Sequence, residues 1–474
     1  MPEAKARRAL LRRDAFVSLT ERAFLKEHAY NVAGLVLAAP QVPFADLLND
    51  DTARIVDLLD GTRTVTEIAE ALSGGLDRPP PEAAELVNDF ITRLSSHGLI
   101  KQGKTRRRRP IRRIPRRTSF SLDCIDLALT NKCNMACVYC INEDHRKEMN
   151  SSLSEKLIES VVSMGVCSVS ISGGEPTLHS GFWDLVRELT KNAVAVTVET
   201  NGTTLSRANV RRLAKLGILG VSLSIDSLDA RDYPSLGQSA VTPEHLIAAI
   251  GWLKDAGIHV RTSAVLVPGI NSQKDKAERL WEALNKLNVS VQCYTEVIPL
   301  GKGRNRVRDA GTFDVAAALG KKIFSDRPGR KIDRGRAGSG AAMIPEPHVP
   351  CIECGAGVHR VAVSPDGRVS PCLQMTDLTA GWLSQESLET IWETSPVLAF
   401  FRKRENVESP ICRRCPDWQQ CNGGCKLRAG LYGGAFAYPD LWSCATYGHV
   451  RRANRLINDA PKVRRSFRDM VDSS

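Results

Sequence analysis

The sequence lacks any apolar run near the roughly 20 residues that a membrane-spanning helix needs, and Pro40 and Pro43 break the best candidate. No apolar segment follows the charged start MPEAKARRALLRRDAF, so it does not read as a secretory signal. Internal repeats and coiled-coil heptads are missing as well. These absences predict a cytoplasmic protein that makes no use of a membrane. A reducing compartment argues against a disulfide framework, so the 14 cysteines call for another explanation, and spaced clusters of them mean metal. Global disorder is excluded by 42% hydrophobic and 25% charged residues, and a length of 474 residues suggests two to four domains.

The formal charge of +12 is local. Residues 106–117 read RRRRPIRRIPRR, eight arginines without an acid, and removing those eight leaves +4 for the rest. Residues 105–118, which hold this run, read as a linker stiffened by Pro110 and Pro115, either solvated or held against an acidic partner. Residues 1–27 before it are expected to form a basic helical arm. Residues 28–104 read as a small winged-helix-like module. It has a strand-like start over 32–37 and three helices, the first with Ile55, Val56 and Leu59. Thr64 and Glu67 have the spacing of a capping box for the second helix, which carries Ile68 and Leu72. Leu86, Val87, Phe90, Ile91 and Leu94 share one face of the third, which Gly98 stops.

From residue 122 the period changes. Six β-patterns (124–129, 166–172, 194–199, 220–226, 259–266 and 289–297) alternate with helical stretches, which implies parallel strands with right-handed crossovers. Six units are too few for a complete eight-stranded barrel. The expected class is therefore α/β, a partial (β/α)6 TIM barrel over 119–302. Alternation assigns Val194, Val196, Val198, Val221, Leu223, Ile225, Val289, Val291 and Cys293 to an apolar face. The other face receives Thr197, Glu199, Ser222, Ser224, Asp226, Arg261, Ser263, Gln292, Tyr294 and Glu296. Unpaired buried polar groups are costly, so that face either lines a wet cavity or satisfies itself. Residues 303–345 read as a loose Gly/Arg/Pro connector, 346–450 as a cysteine-rich domain that metal organises, and 451–474 as a basic helical tail.

Cys133, Cys137 and Cys140 lie just after the first barrel strand, spaced C-x3-C-x2-C. Three thiolates on one loop can hold three irons of a cubane cluster and leave the fourth iron open. A zinc site would want a fourth ligand, for which His145 is the nearby candidate. Gly173, Gly174, Glu175 and Pro176 follow at the end of the second strand, where glycines permit close approach of the backbone to a ligand. C-x3-C-x2-C followed one βα unit later by GGEP resembles the radical SAM superfamily. The resemblance implies a [4Fe–4S] cluster on Cys133, Cys137 and Cys140, with Tyr139 as the accompanying aromatic. S-adenosylmethionine (SAM) would sit on the open iron, its methionine end against Gly173, Gly174, Glu175 and Pro176, and be split to a 5′-deoxyadenosyl radical. Glu199, Asn201, Ser224 and Asp226 would supply the further SAM contacts.

Eight cysteines follow, Cys351, Cys354, Cys372, Cys412, Cys415, Cys421, Cys425 and Cys444. They divide evenly into two four-thiolate sites, which closes a pair of [4Fe–4S] clusters or two structural zinc sites. The array resembles the SPASM extension of radical SAM peptide-modifying enzymes. By that resemblance Cys351, Cys354, Cys372 and Cys425 bind one auxiliary cluster, and Cys412, Cys415, Cys421 and Cys444 the other, making three [4Fe–4S] clusters in all. Cys124, Cys167 and Cys293 remain, and read as buried structural thiols on the apolar face.

The N-terminal module, through LNDDTARIVDLLDGTRTVTEIA with the turn Asp60–Arg63, resembles the PqqD-like leader-peptide recognition domain. Such domains take a peptide as an added strand at a sheet edge. DNA is the competing partner of a winged helix. The second and third helices, however, set Arg63 and Arg93 against Glu67, Glu70, Glu82 and Glu85, the wrong balance for DNA. Together these resemblances imply a peptide maturase whose partner is a ribosomal precursor peptide or small Cys-rich subunit, bound through its leader by residues 28–104. An external reductant such as flavodoxin or ferredoxin would supply electrons. Thioether crosslinks from Cys to carbon, including Asp or Glu side chains, are the leading product, as in sactipeptide synthases and the maturase of the quinohemoprotein amine dehydrogenase small subunit. Carbon–carbon coupling, decarboxylation and formylglycine formation are alternatives within the family. Leu373 after Cys372, where sulfatase-maturing enzymes have an Asp, counts against the last. Asp226, Tyr294 and Glu296 are the candidate bases. An iron–sulfur electron-transfer or DNA-binding regulator is the alternative of another class.

Overall fold

The computed structural model describes residues 15–20, 23–28, 34–39, 44–74, 79–114, 120–289, 291–306, 311–325, 354–459 and 466–472. The N-terminal part runs β1 (Phe16–Leu19), β2 (Phe24–His28), β3 (Gly34–Ala39), β4 (Phe44–Leu48), α1 (Asp50–Leu58), β5 (Asp60–Thr64), α2 (Val65–Ser73), α3 (Pro80–Ser96), β6 (Ile100–Gly103) and β7 (Arg113–Ile114). Its strands pair as two small sheets, β5-β1-β6 and β4-β3-β2-β7. Ile55, Ile68, Val87, Ile91 and Leu94 from the helices close over Val17 and Leu25, forming one apolar cluster. The capping box is present: Glu67 N–H donates to Thr64 Oγ1 at 3.2 Å and Thr64 N–H to Glu67 Oε2 at 2.7 Å. Thr64→Ala is therefore expected to cost about 1 kcal/mol, read as a lowered urea midpoint of this module.

Two expectations fail here. Residues 16–19 and 24–28 are strands, not part of a helical arm, and 1–14 lie outside the described residues. In β1 the short Phe-Val-Ser-Leu run bonds on both edges, to β5 and to β6, which a helix could not do. The arginine run is not free tether either. Arg107 and Arg109 N–H groups donate to the carbonyls of Gly61 and Asp60 at 3.0 and 2.6 Å, and β7 pairs parallel with β2. Arg106 meets Glu67 at 3.1 Å, Arg108 meets Asp60 at 3.8 Å and Arg113 meets Asp57. Exposed ion pairs of this kind contribute little each; the backbone bonds lay the strip along the module.

The barrel follows: β8 (Cys124–Thr130), α4 (Ser151–Ser163), β9 (Ser168–Gly173), α5 (Phe182–Lys191), β10 (Ala195–Thr200), α6 (Arg207–Leu216), β11 (Gly220–Ser224), α7 (Asp232–Leu236), α8 (Pro243–Asp255), β12 (His259–Leu266), α9 (Lys274–Lys286) and β13 (Val291–Glu296). Among the described residues these six parallel strands lie in sequential order, and β14 (Arg360–Val363) adds parallel to β8 on the far side. β15 (Arg368–Ser370) and β16 (Gly381–Trp382) complete the sheet as antiparallel strands. The alternating apolar row of the strands is buried beneath the helices, with Leu127, Ile171, Val196, Val221 and Leu223 fully enclosed.

The expected loose connector contains a helix, Thr312–Ser325. Phe313, Ala316 and Leu319 recur at helical spacing and pack on Trp281 of α9 and on Leu441, Trp442 and Ala445. Beyond the barrel, Val450–Asp459 and Phe467–Asp472 are helical. Phe467 and Met470 are buried, so this end of the chain packs into the structure. No helix among the described residues is long and apolar enough to cross a membrane.

Candidate active site

The loop carrying Cys133, Cys137 and Cys140 sits at the C-terminal end of β8, where parallel α/β strands present their ligand sites. It is held from several directions. Asn131 N–H donates to Lys147 O at 2.8 Å, and His145 bonds the Asn131 carbonyl at 3.1 Å. That uses His145 on the backbone and takes it away from a zinc reading. Ala136 and Val138 N–H groups donate to the carbonyls of Gly237 and Leu236 at 2.9 and 3.1 Å. Gly237 has φ +74°, and a Cβ there would overlap the Ala136 carbonyl oxygen. Lys302 N–H caps the far end, 2.8 Å from Cys140 O.

The GGEP segment is locked to the same loop. Gly174 N–H donates to Thr130 O at 2.6 Å and Glu175 N–H to Lys132 O at 2.8 Å. The glycine approach anticipated for a ligand thus first serves this backbone contact. Glu175 is fully buried, and its carboxylate accepts from Thr200 Oγ1 at 2.9 Å, Asn201 N–H at 2.8 Å and Thr177 N–H at 3.3 Å. Burial pushes this carboxyl above its ordinary range against those bonds. Its side chain ties the ends of β9 and β10 together.

The three thiols are half-buried and free of disulfides. Burial raises the Cys133 thiol, and pushes Cys137 up to about 11. Each faces a side-chain amide: Asn201 Nδ2 lies 3.7 Å from Cys133 Sγ, and Gln238 Nε2 lies 3.6 Å from Cys137 Sγ. Soft thiols on one ordered loop with N–H donors toward sulfur fit a cubane iron–sulfur cluster. Loading it must displace thiol protons, so assembly weakens in acid.

Below this loop the register defines the inward row of the barrel. Asp126 pairs with Ser170, Ser170 with Thr197, Glu199 with Ser222, Ser222 with Arg261, and Ser224 with Ser263. Most of these side chains are half-exposed, although they face the interior of the sheet, so the barrel encloses an open polar lumen. Arg360 donates to Asp126 at 2.8 Å, and Ser170 Oγ to Glu199 at 3.1 Å. Burial raises the Glu199 carboxyl, with Arg261 opposing. Asn201 stands at the rim, where its Nδ2 also reaches Asn134 Oδ1 at 3.0 Å.

Several site expectations change at this point. Asp226 is enclosed and engaged: Tyr139 hydroxyl donates to its Oδ2, Gln238 does so at 2.5 Å, and Val265 N–H reaches Oδ1 at 2.7 Å. It buttresses the cluster loop through Tyr139, whose phenol burial pushes well up. Tyr294 and Glu296 pair with Ala264 and Leu266, so they lie on the helix-covered side, as does Gln292. The inward residues of β13 are Val291, Cys293 and Thr295, because Arg261 pairs with Val291 and Ser263 with Cys293. Alternation alone puts the polar row of this strand inward; its register with β12 reverses that, and Tyr294 packs instead against the cluster of Leu266, Trp281 and Phe313. Cys124 likewise faces inward with Asp126, its sulfur accepting from Ser168 Oγ at 3.1 Å, whereas Cys167 is buried on the other row.

The C-terminal cysteines gather in two places. Cys412, Cys415, Cys421 and Cys444 line one cavity of about 300 Å³, and burial raises the Cys421 thiol to about 12. His449 Nε2 at its edge lies 2.7 Å from Asp417 and 3.6 Å from Cys415 Sγ. Cys354, Cys372 and Cys425 pack on a second apolar cluster; Cys351 lies outside the described residues. Asp440 joins the two places. It binds Arg428 through Oδ1 at 2.9 Å and Oδ2 at 2.7 Å, and accepts Cys425 N–H at 2.8 Å and Ser443 Oγ at 2.7 Å. Gln238, Asp126, Arg360, Arg428 and Asp440 carry no motif, and no signal in the sequence could have singled them out.

Comparison with known proteins agrees with this layout. Residues 127–287 match the radical SAM superfamily, 354–416 the SPASM iron-sulfur cluster-binding domain, and 36–100 coenzyme PQQ synthesis protein D. The chain is 25% identical over 361 residues to the mycofactocin maturase MftC of Mycobacterium ulcerans (strain Agy99), covering 72% of this chain and 92% of that protein. It is 24% identical over 426 residues to the antilisterial bacteriocin subtilosin biosynthesis protein AlbA of Bacillus subtilis (strain 168), covering 86% and 90%. A solved structure of Streptococcus suis SuiB bound to precursor peptide SuiA shares the fold, with a TM-score of 0.57, 15% identity, and 87% and 96% of the two chains covered. The chain thus carries a radical SAM domain, with a SPASM segment behind it and a PqqD-like segment ahead of it.

Proposed function

We propose that this enzyme matures a ribosomally made peptide or small protein subunit by forming thioether bonds from Cys sulfur to carbon, Asp and Glu side chains included. The observation that carries the reading is the junction of the three-cysteine loop and GGEP at the mouth of a half-exposed polar lumen, wide enough in chemistry for a peptide rather than an apolar ligand. A [4Fe–4S] cluster on Cys133, Cys137 and Cys140 with SAM on its open iron would supply a 5′-deoxyadenosyl radical that takes a hydrogen atom from a peptide carbon. Gly173, Gly174, Glu175 and Pro176 place the SAM side of the mouth, with Asn201, Ser224 and Glu199 around it. Asp126 is tied to Arg360, which leaves Glu199 as the inward carboxylate able to receive a thiol proton. Two auxiliary clusters, on Cys412, Cys415, Cys421 and Cys444 and on Cys351, Cys354, Cys372 and Cys425, would accept the remaining electron. The precursor's leader binds the N-terminal module, as suits a chain whose relatives include a maturase and a fold neighbour solved with a precursor peptide. A flavodoxin or ferredoxin in the cytoplasm serves as reductant.

The test is anaerobic co-expression with the candidate precursor, followed by accurate mass. Loss of two hydrogens per bond, resistant to thiol reductant and absent when Cys133, Cys137 and Cys140 are changed to Ala, is the expected result. An unchanged mass with peptide still bound to the N-terminal module would reject thioether formation for that peptide. Fragmentation separates thioether from carbon–carbon coupling, decarboxylation and formylglycine.

A further inference from the structure

We propose that Gln238 is a positioning residue that sets the electron affinity of the three-cysteine cluster by donating an N–H to the Cys137 sulfur; this rests on the radical SAM reading above. Gln238 is only 5% exposed and directly follows Gly237, whose carbonyl clamps the loop at Ala136. Its Nε2 has three neighbours: Asp226 Oδ2 at 2.5 Å, the Tyr139 oxygen at 2.8 Å and Cys137 Sγ at 3.6 Å. An amide nitrogen has two hydrogens. Asp226 takes one, and the other points between the Tyr139 oxygen and the Cys137 sulfur. Tyr139 gives its own hydroxyl hydrogen to Asp226, so its oxygen stands as an acceptor at that place. Asp226 is in turn pinned by Val265 N–H, and Asn271 Nδ2 holds its carbonyl at 2.8 Å. The amide therefore has no rotation left to it.

Asn201 repeats the arrangement at Cys133, with its Nδ2 shared between sulfur at 3.7 Å and Asn134 at 3.0 Å. Two of the three loop thiolates thus face a side-chain amide N–H. Hydrogen bonds to cluster sulfurs are one of the levers that set iron–sulfur potentials. A donor draws charge off sulfur and favours the more negative, reduced cluster. This is the state that cleavage of SAM requires, so the donor eases the task of a biological reductant.

The experiment is an EPR-monitored redox titration of the full-length, anaerobically reconstituted enzyme. The open-iron cluster is identified as the signal that SAM perturbs. Gln238→Leu and Gln238→Met, which remove the N–H pair without adding charge, are compared with wild type. The expected result is a one-electron reduction about tenfold less favourable, or about 59 mV more negative, with iron content and the SAM response retained and the other signals unmoved. An unchanged potential in fully loaded Gln238 variants would overturn the proposal. So would loss of iron in both variants, because Gln238 would then merely hold the loop. A wild-type signal that SAM leaves untouched would be a separate failure, that of the radical SAM reading itself.

Discussion

Asp440→Ala is expected to destabilise the C-terminal part by about 3–5 kcal/mol, the cost of stranding one member of a buried ion pair. Asp440 is fully enclosed and its partner Arg428 is 14% exposed, so solvent cannot replace the lost carboxylate. The same substitution strips Cys425 N–H and Ser443 Oγ of their acceptor, while the adjoining helix turn carries Cys444, whose N–H bonds the Asp440 carbonyl at 2.9 Å. One change therefore loosens both gatherings of C-terminal cysteines. Urea unfolding should show the lowered midpoint. Iron analysis should show loss from the C-terminal sites, with the SAM-responsive signal and SAM cleavage retained and peptide modification gone. Burial works to raise the Asp440 carboxyl, but Arg428 and the hydrogen bonds outweigh it and hold the group below its ordinary value. Its contribution is complete above the unfolded value of about 3.9 and fades only as pH falls through the lower folded value. The gap between wild type and variant should persist from pH 7 to pH 5 and narrow only in stronger acid. Wild-type iron content and midpoint in the variant would refute the coupling.

Gly174→Ala is expected to lower SAM cleavage about 100-fold in a protein that still folds, the penalty for moving reacting groups by roughly 1 Å. A Cβ at Gly174 would overlap the carbonyl oxygen of Lys132 and stand 2.6 Å from that of Asn131. Both neighbours are backbone, so relief must come from shifting the segment that leads into Cys133. Gly251 in α8 offers the contrast, since a Cβ there meets nothing within 4 Å. Gly251→Ala should leave cleavage unchanged and, as a helix position, should stabilise by roughly 0.5–1 kcal/mol. Circular dichroism separates misfolding from misplacement, and release of 5′-deoxyadenosine measures the effect. Equal activity of the two alanine variants would show that the contact between GGEP and the loop does not govern the site.

Local rules were enough for much of this protein. Period two in six segments separated by helical stretches predicts the parallel strands, since both the strands and their covering helices advertise a buried row. Thr64 and Glu67 predict the start of α2 because a capping box is a contact within one turn. The C-x3-C-x2-C and GGEP spacings pointed to the chemistry because each lies within a few residues of chain. Where a contact with another segment outweighs the local pattern, the sequence ran out. In β13 alternation turns the polar row inward, and its register with β12 reverses this, turning Cys293 inward and Tyr294 and Glu296 outward. The arginine run looks like a tether until the carbonyls of Gly61 and Asp60 are brought beside it.

Neighbouring residues alone pointed to the βα order of the barrel, to the spacing of the cysteine and GGEP motifs and to the expectation of a peptide partner. Which polar groups meet is set by packing in three dimensions. Asp226 and Gln238 are 12 residues apart, Gln238 and Cys137 101, and Asp126 and Arg360 234. Contacts of that separation leave no period or spacing in the chain, because the packing of strands and helices, and no local preference, sets the distance between them.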